Sequence, residues 1–189
     1  MIRAIIFITP LILGAGFAFA GAWIPVKAAL AQHLLSHAWE RTLSGEPFAK
    51  PWPWADMAPA FKLDFAGKEM IVLGNDSGEA LAFGPGWLPQ SARPGTPGLA
   101  LIAAHRDTHY NAIGALHAGD TITVTAPSGA DMTYSVQNSR VVTANASGLT
   151  ADWPGEWLGL VTCWPLGSDR QTDERYVVLA ERIPLESIP

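Results

Sequence analysis

The chain predicts an all-β domain, a barrel or sandwich of eight short strands with short helices, carried behind an N-terminal transmembrane helix. Three observations predict this. Residues Ile5 to about Val26 form one apolar stretch without a charge, about 20 residues, the length that spans a bilayer. From Phe61 onward, short apolar runs are split by Gly, Pro, Asn and Asp, as strands are. Between the two lies one helical segment, Lys27 to about Leu43.

The elements follow in order. Arg3 precedes the apolar stretch and Lys27 follows it. Ala18-Phe19-Ala20 matches a signal-peptidase site. The apolar run nevertheless continues past it through Trp23 and Ile24, which favours a retained anchor over residues 1–26. Either outcome exports the rest of the chain. In the next segment Leu30, Leu34, Leu35 and Trp39 recur at helical spacing, and Ser44-Gly45-Glu46-Pro47 stops the helix. His33 and His37 lie four apart on it. The intervening Leu34-Leu35-Ser36 lacks the glutamate of a zinc-protease helix, so a solvated helix face is expected. Pro47 to Pro59 holds four prolines and two tryptophans and reads as a stiff collar. Residues 27–59 thus form a juxtamembrane helix and collar, and 60–189 the β-domain.

The strands are expected at Phe61–Phe65, Glu69–Leu73, Ala80–Phe83, Leu99–Ala104, Thr121–Ala126, Met132–Val142, Trp157–Cys163 and Arg175–Ile183. Thr121-Ile122-Thr123-Val124-Thr125 alternates as a half-buried strand should, and Pro127-Ser128-Gly129-Ala130-Asp131 turns it into the next. A closed barrel would leave no exposed edge.

Composition narrows the function. Hydrophobic residues at 49% and charged residues at 15% exclude a disordered chain. A net charge of −5 without a basic stripe argues against a nucleic-acid partner. Eight tryptophans suit a membrane-edge belt or an aromatic peptide groove. The single cysteine, Cys163, makes no internal disulfide. A lone thiol in an oxidising compartment is a liability unless it is used or hidden.

Position favours use. Cys163 ends the run Trp157–Thr162, His105 ends the run Leu99–Ala104, and Arg175 opens the run Tyr176–Ala180. Neighbouring strand ends would bring a thiol, an imidazole and a guanidinium together. Such a set can run acyl transfer: the thiol attacks, the imidazole handles the proton, and the cation steadies the oxyanion.

The text around these residues resembles the sortase family. His105-Arg106-Asp107-Thr108-His109-Tyr110, followed by Leu116 and Gly119-Asp120, is similar to the sortase histidine block. Leu160-Val161-Thr162-Cys163-Trp164-Pro165 resembles the Thr-Leu-x-Thr-Cys motif, with Gly159 standing in place of the first threonine. Arg175-Tyr176-Val177-Val178-Leu179-Ala180 resembles the arginine block. Pro51-Trp52-Pro53-Trp54-Ala55-Asp56 and Leu81-Ala82-Phe83-Gly84-Pro85-Gly86 resemble the proteobacterial branch, class GN.

The resemblance implies an eight-stranded sortase-type β-barrel and a transpeptidase that needs no cofactor and no metal. Cys163 would attack the threonine carbonyl of a Leu-Pro-x-Thr-Gly-like signal at the C-terminus of a secreted protein. His105 would protonate the leaving amine, and Arg175 would bind the oxyanion. Arg170, in the loop before Arg175, is the competing arginine; a strand end holds a guanidinium more rigidly. Thr162 and Trp164 are the expected substrate-binding residues, Thr162 as a further donor. The partners implied are the signal-bearing protein and an amine acceptor, with peptidoglycan a candidate. The implied location is the inner membrane, single-pass, with the catalytic domain in the periplasm. His105, His109 and Cys163 as zinc ligands would lack a fourth position and would quench the thiol. Asp107 is expected to tighten its loop.

Rival readings keep or drop the chemistry. A papain-like peptidase places its cysteine before its histidine, the reverse of this chain. An L,D-transpeptidase has a glycine- and serine-rich stretch before its cysteine, absent here. The alternative from another class is a non-catalytic membrane-tethered β-barrel that binds peptide or cell-wall material.

Overall fold

Alternation of apolar and polar residues after Pro59 builds a closed barrel. The computed structural model describes residues 30–184. Its strands are β1 (Pro59–Phe65), β2 (Lys68–Leu73), β3 (Gly86–Trp87), β4 (Gly98–Ala103), β5 (Thr121–Thr125), β6 (Asp131–Thr143), β7 (Glu156–Cys163) and β8 (Glu174–Arg182). They close in the order β1-β2-β3-β4-β7-β8-β6-β5. Helix α1 covers residues 30–43 and α2 covers Gly78–Leu81. The apolar stretch Ile5–Val26, read as a membrane anchor, lies outside the described residues. Among the described residues no helix is long and apolar enough to cross a membrane.

The barrel interior takes one face of each strand. Phe61, Leu63 and Phe65 of β1, Ile122 and Val124 of β5, Ala100 and Ile102 of β4, Leu158 and Leu160 of β7, and Val178 and Ala180 of β8 form one buried cluster. Their two-residue period is the strand period. The outer faces of β4, β7 and β8 are apolar too, which explains the unbroken apolar runs in the sequence. Leu99, Val177 and Leu179 form an outer cluster with Leu101, Val161, Leu149, Trp153 and Trp157. β4 and β7 run parallel, a pairing that is usually covered on both faces.

On the other side, α1 covers the outer face of β2. Ala31, Leu35, Ala38 and Trp39 are buried at helical spacing, whereas Leu30, expected on that stripe, is exposed. Leu35 and Trp39 pack with Ile71 and Leu73 of β2, Ala55 and Met57 of the collar, and Ala80 of α2. The core therefore crosses the compositional boundary at Pro59.

One expected strand is corrected. Ala80–Phe83 is helix and turn, not strand. Ser77 caps the helix, its hydroxyl accepting from the Ala80 N–H at 3.1 Å. Asn75 Oδ1 in turn accepts from the Ser77 N–H at 3.2 Å. A capping serine before a short apolar run starts a helix. The strand that replaces it is Gly86–Trp87. A Cβ on Gly86 would lie 2.3 Å from the Asn75 carbonyl oxygen, so only glycine fits.

Candidate active site

The site is built where β4, β7 and β8 lie side by side. The β4–β7 register pairs Leu101 with Gly159 and Ala103 with Val161. The Ala104 N–H donates to the Val161 carbonyl at 3.1 Å, carrying the ladder one step further. His105 is two residues past Ala103, and Cys163 two past Val161. The β7–β8 register then places Cys163 opposite Arg175. All three share the parity of the outer-face cluster. The reactive row therefore runs across three adjacent strand ends on the outside of the barrel. His105 is exposed, and Cys163 and Arg175 are half-buried.

Each member is held by its neighbours. Tyr110, fully buried, donates its backbone N–H to the His105 carbonyl at 3.1 Å and its hydroxyl to the Ile102 carbonyl at 3.2 Å. The loop after His105 is thus tied back to β4. Burial pushes the Tyr110 phenol well above its ordinary pKa, so it remains a donor. Arg175 Nη1 donates to the Thr172 carbonyl at 3.1 Å and to the Glu174 carbonyl at 2.8 Å. Both bonds use Nη1; among the described residues Nε–H and Nη2–H have no hydrogen-bond partner.

Thr162 corrects a sequence expectation. Its hydroxyl turns inward, is buried, and donates to the Ala104 carbonyl at 2.7 Å. It is a strut between the ends of β4 and β7, not a donor on the outer face. Trp164 lies half-buried beyond Cys163, with its indole stacked on Tyr176 (centroids 5.8 Å apart, planes at 22°). Arg170 sits exposed on the β7–β8 loop, away from any strand.

The sequence reading gave Arg106 no role and weighed His109 only as a zinc ligand. Arg106 Nη1 donates to the Pro165 carbonyl at 3.1 Å, and Nη2 to the Arg170 carbonyl at 2.7 Å. His109, half-buried, approaches Gln32 of α1, its Nε2 lying 3.4 Å from the Gln32 amide nitrogen. That amide also donates to the Phe83 carbonyl. Burial chiefly, and then the charge of His105, hold the His109 pKa below the ordinary histidine value, with the Phe83 carbonyl pulling weakly the other way. The signal for both lay in the sequence His105-Arg106-Asp107-Thr108-His109, but their partners are 59, 64 and 77 residues away in the chain.

Gly159 sits on the outer face two residues before Val161. A Cβ there would lie 2.7 Å from Leu101 Cδ2 and 3.5 Å from Leu99 Cδ1. The missing side chain lets Leu101 of β4 lean across β7.

A family model described as Sortase domain matches residues 60–183. The chain is 29% identical to Sortase D of Bacillus subtilis (strain 168) over 114 residues, 60% of this chain and 57% of that protein. The match thus spans less than two thirds of that relative. Two solved structures have the same fold. The pilus-related sortase C of Group B Streptococcus has a TM-score of 0.60 at 23% identity, covering 68% of this chain and 69% of that one. Sortase A from Corynebacterium diphtheriae has a TM-score of 0.62 at 20% identity, covering 84% and 86%.

Proposed function

The chain belongs to the sortase family, and on that premise we propose that it is a membrane-anchored cysteine transpeptidase of the proteobacterial GN type. It cleaves a Leu-Pro-x-Thr-Gly-like signal on a secreted protein and passes the protein to an amine on the periplasmic side of the inner membrane. The observation that carries this reading is the row His105, Cys163, Arg175 across three adjacent strand ends.

The steps follow from that row. Cys163 attacks as the thiolate, the nucleophilic form of the thiol. Its Sγ bonds to the threonine carbonyl carbon, and the oxygen gathers the negative charge. Arg175 offers Nε–H and Nη2–H to that oxygen. The intermediate collapses, the C–N bond breaks, and His105 gives the leaving amine its proton. The thioester remains. An incoming amine then gives a proton to His105, attacks the thioester carbon and releases Cys163. Leu101 of β4 and Val161 of β7, half-buried on the same outer face as Cys163, support an apolar stretch of peptide as substrate.

The test incubates the full chain in detergent with a Leu-Pro-x-Thr-Gly tail peptide and a free amine, and reads the ligated product by mass. Ligation is expected from the wild type and none from Cys163→Ala. Arg175→Ala should cost roughly 10²–10³ in rate, as loss of an oxyanion donor does. Processing of the peptide by Cys163→Ala would end the proposal.

A further inference from the structure

We propose that Arg106 is a positioning residue, a clamp that joins the segment carrying His105 to the loop between β7 and β8. The role rests on the transpeptidase reading for its consequence in turnover, but not for its geometry. The loop, residues 164–173, leaves Cys163 and returns at Arg175. Arg106 grips it from outside at two points, the Pro165 and Arg170 carbonyls. Inside the loop, the Thr172 hydroxyl donates to the Trp164 carbonyl at 2.5 Å, and the Trp164 N–H donates to the Glu174 carbonyl at 3.1 Å. The Thr172 carbonyl then accepts from Arg175 Nη1. A continuous set of bonds thus runs from the residue after His105, through the loop, to Arg175.

The chemistry of the side chain fits this task. Arg106 forms no ion pair with a carboxylate among the described residues. Both of its bonds go to main-chain oxygens five residues apart in the loop. A planar guanidinium can hold two acceptors in fixed directions, whereas a lysine ammonium is a single point on a flexible stem. Arg106 therefore sets the shape of the loop and does not neutralise a charge. Through the loop it sets the lie of Trp164 and the anchor of Arg175, while Thr162 and the β4–β7 ladder hold Cys163 itself.

The clamp is tested on the full chain in detergent with Arg106→Ala and Arg106→Lys. Backbone hydrogen exchange should rise about tenfold to a hundredfold across residues 164–173, the range implied by losing a charged hydrogen bond. Residues 121–136 should exchange as in wild type. Alkylation of Cys163 by iodoacetamide should change by no more than about twofold, because the thiol keeps its own supports. With the Leu-Pro-x-Thr-Gly tail peptide, kcat/KM should fall about 10²-fold, as displaced positioning groups cause, and lysine should not restore it. If Arg106→Ala does not fold, Arg106→Lys keeps the stem and still loosens the loop. Unchanged exchange over 164–173, alkylation that falls with turnover, or full rescue by lysine would overturn the assignment. If wild type does not process the peptide, the functional reading fails alone, and exchange and alkylation still decide the clamp.

Discussion

Thr162 and Cys163 are adjacent, yet they face opposite sides of the barrel wall. Parity decides this: even positions of β7 point inward, and odd ones outward. The Thr162 hydroxyl is spent on the Ala104 carbonyl, one residue before His105. Thr162→Val keeps the shape and removes the donor, leaving a buried acceptor unpaired. We expect a loss of about 1–3 kcal/mol in unfolding free energy and slower alkylation of Cys163, with Thr162→Ser close to wild type. Denaturant titration and timed labelling measure the two effects. The strand-end places of Cys163, His105 and Arg175 were legible in the sequence because each borders an apolar run. The inward turn of Thr162 was not, because it depends on which face closes the barrel and on a partner 58 residues away.

At the scale of elements, the parallel β4–β7 ladder sets the level of two reactive groups, and the antiparallel β7–β8 ladder adds the third. The sequence announced those strands through apolar runs with both faces buried. It failed at Ala80–Phe83, where periodicity cannot separate a short strand from a helical turn and the Ser77 cap decides. It was also silent on where α1 docks, since an apolar stripe does not name its partner. That docking has a pH consequence. His109 meets α1 through Gln32, and its folded pKa lies below the ordinary value of 6.5. The unfolded chain then binds more protons than the folded one as pH falls below 6.5, so stability declines toward the acid side and is regained above it. His109→Gln should lessen that decline. Denaturant midpoints of wild type and variant between pH 7.5 and 5 should diverge, with the variant flatter. Parallel curves would show that His109 plays no part in this dependence.

For the molecule as a whole, the barrel and the segment before it share a core. Ile71 and Leu73 lie under Leu35 and Trp39, and Ala55 and Met57 fill the seam. A chain begun at Leu30 keeps this cover; one begun at Pro59 loses it. The shorter chain should be less stable by about 1.5–3 kcal/mol for each of Ile71 and Leu73 returned to water, and should bind a hydrophobic dye. Thermal unfolding of the two fragments measures the difference. Equal midpoints would mean that α1 and the collar add nothing to the fold.

The reactive row lies on the outside of a closed wall, because the inside is filled by side chains. On the transpeptidase reading proposed above, a polypeptide offered to it needs only to be laid against the wall for a few residues. Nothing has to be threaded or swallowed, so bulky folded domains on either side of the cut can remain in solvent. An outer workbench of this kind would limit the local shape of the strand it accepts and set no limit on the size of what that strand belongs to.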